Sequence, residues 1–251
     1  MEESKRKRIK APTKQNQPNG LKLTRRQFLS GSAASAVVGS IPGVTQAQAV
    51  MSRQRTVSLQ AYQPIYFNEK EWAFIMAACE RLIPQEGEGP GALDTHVPIF
   101  IDRQLAGNFG AASTWYMDGP HQPAVKSDRG YQSPLTPAEQ YRQAIVAIDA
   151  WCEDEHSKPF AELGSDIQDE VLKTLEKGEL GLDDELKEFF SLLLSNTKEG
   201  YFADPMYGGN YGMQAWQHIG FPGARAAYKE WVDQHNKAYP LGPVAIDGSR
   251  G

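Results

Sequence analysis

Apolar residues recur along the chain at helical spacing, in stretches opened by capping residues and closed by proline, glycine or polar runs. In the first, Trp72, Ile75, Met76, Cys79 and Leu82 or Ile83 share one face; Asn68 with Glu71 forms a capping box and Pro84 ends the helix. A shorter helix is predicted near Pro98, burying Phe100, Ile101 and Leu105. Thr136, Pro137 and Glu139 predict the next start, and the helix runs to about Ser157 with Tyr141, Ala144, Ile145, Ile148 and Cys152 inward. Ser165 with Gln168 is read as the cap for Ile167, Val171, Leu172 and Leu175. Asp183 caps a helix carrying Leu186, Phe189, Phe190, Leu193 and Leu194, and a last helix from about Ala224 uses Ala227, Tyr228, Trp231 and Val232. No alternating run competes, so the fold class is all-α: a single irregular helical bundle with long ordered loops. Residues 107–135 lack a period, and loops beyond about 12 to 15 residues are usually functional or partner-covering.

The segment ahead of the bundle has another character. A basic, polar run leads to Arg25, Arg26, Phe28 and Leu29, then to a weakly apolar Ala/Ser/Gly stretch and to Ala47-Gln48-Ala49. That succession matches a twin-arginine export signal with cleavage after Ala49. The expected organisation is a signal over 1–49, an irregular extension over 50–66, the helical domain over 67–240 and a tail over 241–251. The net charge of -5 hides an asymmetry: nine Lys/Arg face two Asp/Glu in residues 1–49, and seventeen face twenty-nine thereafter. So acidic a body is a poor partner for nucleic acid. No uncharged apolar run of about 18 residues follows residue 50, which excludes a spanning helix there. The expected location is the bacterial periplasm.

Candidate chemistry is sparse. No dinucleotide-binding, phosphate-loop, zinc-protease or paired-cysteine motif occurs in the mature chain. No catalytic, cofactor-binding or metal-ligating residue is assigned. Glu153 and His156 show the Glu-x-x-His spacing of di-iron bundles, but such bundles need the motif twice; a metalloenzyme built on this pair is the third-ranked reading. Cys79 and Cys152 lie on apolar helix faces of an exported chain, so a disulfide is expected over two buried thiols. Most unusual is Gly200 to Arg225, with six aromatics, six glycines and only two charges, Asp204 and Arg225. Composition fits two roles equally: an interface anchor, or a loop that closes its own core with Arg225 neutralising Asp204.

The run Gly200-Tyr-Phe-Ala-Asp-Pro-Met-Tyr-Gly-Gly-Asn with Trp216-Gln-His-Ile-Gly-Phe-Pro-Gly-Ala-Arg225 strongly resembles the hallmark of the gluconate 2-dehydrogenase subunit 3 family. Gly89 to Ala92, Phe100 to Gly107, Trp115 to Pro120, Gly130 to Pro137 and Lys158 to Phe160 resemble it too, over most of residues 67–232. The resemblance implies a small, non-catalytic subunit of a periplasmic, membrane-associated dehydrogenase. Its large subunit would hold FAD, and a cytochrome c subunit with haem c would pass electrons to quinone. The twin-arginine translocase would then export the small and large subunits as one folded unit. Tyr201, Phe202, Asp204, Tyr207, Gly208, Gly209, Asn210, Trp216, Phe221, Pro222 and Arg225 become the candidate partner interface, with loop 107–135 beside them. D-gluconate oxidation to 2-keto-D-gluconate ranks first, ahead of glucose, sorbitol or fructose oxidation. A free-standing periplasmic sugar-binding module is the alternative of another class.

Overall fold

The computed structural model describes residues 58–125 and 130–251, so the export signal with Arg25, Arg26, Phe28, Leu29 and Ala49 lies outside the described residues. The described chain is helical, with α1 (Glu69–Leu82), α2 (Val97–Leu105), α3 (Pro137–His156), α4 (Ser165–Glu176), α5 (Phe189–Phe202) and the short α6 (Gln214–Ile219), and with short 3-10 turns before α1, in the connections after α3 and beyond α6. No named strand occurs among the described residues. Both predicted capping boxes are formed: Asn68 accepts from the Glu71 N–H and Thr136 from that of Glu139, with each glutamate reaching back.

Three expected helix starts are corrected. Gly164, not Ser165, is the cap of α4, and the Gln168 side chain donates to the Phe160 carbonyl at 3.0 Å instead of closing a box. The helix expected from Asp183 is broken into a turn, Asp184–Leu186, and α5. In a continuous helix the Glu185 carbonyl would accept from the residue-189 amide. Here the Gln140 amide takes it at 3.1 Å and the Ser133 hydroxyl at 3.0 Å. No α-helix follows Ala224, only a turn at Lys229–Trp231. The Ala224 N–H donates to the Val244 carbonyl at 2.7 Å, which draws the chain onto the C-terminal stretch, and Arg225 lies over the Tyr239 ring.

The core gathers α1, α3, α4 and α5 around fully buried Phe74, Ile75, Tyr141, Ile148, Phe160 and Phe189. Helix α2 lies close on α5 because Gly200 has no side chain; a Cβ there would stand 2.8 Å from the Phe100 ring. Helix α1 is buried more widely than its predicted stripe. Phe74 and Ala78 face the main core, while Trp72 and Met76 pack on a second cluster of Leu59, Tyr62 and Ile99.

In that second cluster Leu59 and Tyr62 of the expected extension meet Ile99 of α2, and residues 58–67 form a strap across α1 and α2. Fully buried Asp102 on α2 ties it down, accepting from the Tyr62 hydroxyl at 2.7 Å and the Ile65 amide at 2.8 Å on one oxygen. The other oxygen accepts from the amides of Tyr66 at 2.9 Å and Phe67 at 3.0 Å. Arg142 of α3 clamps the same place, pairing with buried Glu71 at 3.0 Å, donating to the Tyr66 carbonyl and covering the Tyr66 ring. A buried carboxylate needs such a full set of donors. We therefore predict that Asp102→Ala lowers unfolding free energy by about 3 kcal/mol. Urea titration tests this; a loss under about 0.5 kcal/mol would show the strap to be dispensable.

Candidate interaction surface

The segment from Gly200 to Arg225 has two sides, because its glycines and positive-φ positions fold it back on itself. On its inner side, Asn210, fully buried at φ 46, donates to the Ala203 carbonyl and accepts from the Ala215 amide, each at 3.0 Å. The Trp216 indole donates to the Phe202 carbonyl at 2.9 Å and packs with Met213 and Ala245. Tyr201 is buried and donates to the Pro90 carbonyl at 2.8 Å. Gly209 is obligatory, since a Cβ would sit 2.1 Å from the Gly200 carbonyl oxygen, and Gly208 at φ 104 lies against Arg103.

The local pairing of Asp204 with Arg225, part of the core-closing reading, is not formed: each has other partners. Asp204 accepts from the backbone amides of Met206 at 3.1 Å and Ile246 at 2.7 Å. Arg225 instead donates to the Gly242 carbonyl and stacks on Tyr239, at 5.1 Å from the ring centroid. The Pro222 carbonyl accepts from the Val244 amide at 3.2 Å. Within the expected tail over 241–251, residues 242–251 are thereby stitched into the segment, with Ala245 buried against it.

The outer side is apolar and open. Phe202, Tyr207 and Phe221 are 44 to 47% exposed, and Phe221 rests edge-on against Trp216 at 5.1 Å. Met206, Tyr211 and Ile219 join them, and so does Ile246 from the C-terminal stretch, none of them among the candidate interface residues. For Met206, Tyr211 and Ile219 the only signal in the sequence is membership of the charge-poor segment, which has no period to separate inner from outer positions, and Ile246 has none. The predicted interface residues therefore divide. Phe202, Tyr207 and Phe221 can meet a partner, while Tyr201, Asp204, Gly209, Asn210 and Trp216 hold the backbone that presents them. Within the long loop Trp115 meets Phe109 and Tyr131 edge-on, and the loop is tied to the body where Lys187 donates to the Val125 carbonyl and the Ser133 hydroxyl to the Glu185 carbonyl. Tyr116 projects from it, 83% exposed.

Comparison with known proteins returned one family: the model described as gluconate 2-dehydrogenase subunit 3 matches residues 69–223. That range runs from the start of α1 through the Gly- and aromatic-rich segment. No curated protein and no solved structure matches the chain.

The remaining candidates are scattered. His156 lies edge-on against Trp151 at 5.8 Å, and Glu153 lines a groove with Asp149 and Glu162. Cys79 and Cys152 are buried free thiols, a correction to the expected bridge. Cys79 neighbours Thr197 and the Tyr141 hydroxyl. Tyr141 precedes Cys152 on α3 by eleven positions, or about 16 Å of helix, whereas bridged Cα atoms lie within about 7 Å. Burial pushes both thiols up to about 12. We predict that neither reacts with a disulfide reagent in the native chain and that both react in denaturant without reductant; finding no thiol there would establish a bridge. A raised folded pKa also sets the sign of a pH effect. Stability is complete below the unfolded thiol's pKa of about 8.5 and falls as pH rises from there toward 12. A melting temperature that holds level from pH 8.5 to 10.5 would contradict it.

Proposed function

The chain belongs to the gluconate 2-dehydrogenase subunit 3 family, and we propose from that premise that it is the non-catalytic small subunit of a periplasmic, FAD-dependent gluconate 2-dehydrogenase complex. Membership makes it an accessory subunit of such a dehydrogenase and implies a catalytic partner. In this reading the large subunit holds FAD and oxidises D-gluconate to 2-keto-D-gluconate. The cytochrome c subunit carries the electrons to quinone. The small subunit stabilises the large one and brings it through the twin-arginine translocase, which accepts folded cargo, so the two must associate before export.

The observation that carries the docking role is the outer face of the segment. Its large apolar residues Phe202, Met206, Tyr207, Tyr211, Ile219 and Phe221 are 41 to 55% exposed within twenty residues of chain. Concentrated exposure of this kind marks interaction sites in soluble proteins. The backbone beneath is fixed by the Asn210, Asp204 and Trp216 hydrogen bonds, so little ordering entropy is lost on docking. Aromatic anchors on a rigid support are the usual centres of binding energy.

Two expected outcomes test the reading. Replacing Phe202, Tyr207 and Phe221 together with Ala leaves the helical fold intact and releases the flavin subunit, with roughly thirtyfold lost per dominant anchor. Co-purification through a tag on this chain, read by flavin and haem absorption, measures it; undiminished flavin would overturn the assigned surface. Replacing Arg25 and Arg26 with Lys retains both this chain and the flavin subunit in the cytoplasm. Periplasmic flavin subunit in that strain would remove the escort role, and a monomeric chain whose melting point rises with sugar would favour a binding module.

A further inference from the structure

Beside the exposed aromatic face, the glycine-rich segment, the start of α2 and residues 249–250 surround a half-open cavity of about 310 Å³. That volume is at the lower end for small-molecule sites. Two arginines line it, Arg103 from α2 and Arg250 from the C-terminal stretch, together with Ser249, Tyr211 and His96. No Asp or Glu is among the described lining residues. This runs against a body in which acidic residues outnumber basic ones, twenty-nine to seventeen after residue 49. Neither arginine forms an ion pair with a carboxylate among the described residues.

The walls are built. The Arg103 guanidinium lies 5.9 Å from the Tyr62 ring centroid, on the strap that Asp102 anchors. Gly208 covers it from the other side, where a Cβ would stand 3.1 Å from Nη1. His96 stacks on Tyr211 with ring centroids 4.1 Å apart and planes at 17°. Burial holds the His96 imidazole below its usual range, so at neutral pH it offers a hydrogen bond without adding charge.

We propose that this cavity binds a small oxyanion, a carboxylate or phosphate, gripped by Arg103 and Arg250. A planar guanidinium presents paired N–H donors that match two oxygens of such a group, and the glycine backbone allows close approach. Two cations lining one cavity favour an anion between them. The cavity shares Tyr211 with the docking face, but anion binding is tested on the purified chain alone, so its outcome is separate from capture of the flavin subunit.

The probes are sodium phosphate and sodium citrate against sodium chloride at equal ionic strength, read by melting temperature and titration calorimetry. The expected result is a rise of about 5 °C at saturating phosphate or citrate beyond that in chloride. Arg250→Ala weakens the anion about tenfold and Arg250→Lys weakens it less, since Lys keeps the charge and loses the paired donors. Lys237→Ala, on the exposed surface, binds as the parent does. No rise beyond chloride, or equal affinity in Arg250→Ala and the parent, would overturn the proposal.

Discussion

The fold depends on one buried carboxylate. Asp102 is fully buried, and its two oxygens receive four donors from residues 62 to 67. A charge in that position is tolerated only because each oxygen is doubly hydrogen-bonded. The consequences spread from there. The strap covers the flank of α1 that the main core leaves open, and the chain leaves it at Asn68, the cap of α1. Arg142 ties strap and α1 to α3 through Glu71 and Tyr66. The residue after Asp102, Arg103, is placed beneath Tyr62 and Gly208 at the edge of the glycine-rich segment.

The segment resolves the tension between closing its own core and meeting a partner by doing both with different residues. Polar side chains and Trp216 face inward and satisfy backbone groups, while Phe202, Tyr207 and Phe221 remain outside. Its glycines are needed where another backbone passes: Gly209 against the Gly200 carbonyl, Gly223 against Val244. Such a surface is rigid before any partner arrives, which suits an accessory subunit whose contribution is shape.

The capping boxes at Asn68 and Thr136 were legible because every participant lies within four residues and the interaction is local. The starts at Ser165, Asp183 and Ala224 were misread for the opposite reason. At Asp183 the Glu185 carbonyl is taken by Ser133 and Gln140, some fifty positions away in the chain. At Ala224 the amide is taken by Val244. Helical spacing is present in both places, but distant partners take the carbonyl that a helix would have used at Glu185, and at Ala224 the chain is drawn onto the C-terminal stretch. Cys79 and Cys152 were each placed correctly on a buried face, yet a face says nothing of height along the helix axis.

Sequence alone determined the all-α class, the two boxed helix starts, the burial of Tyr141, Ile145, Ile148 and Cys152, and the importance of Gly200 to Arg225, because periodicity, caps and composition act over short range. It also carried the family, through the run of residues in that same segment. Tertiary structure decided the rest: which aromatics of the segment face outward, the seat of Asp102, the separation of the two thiols, and the meeting of Arg103 with Arg250 in one cavity. Each of these depends on contacts between positions far apart in the chain, whose geometry exists only once the helices have packed.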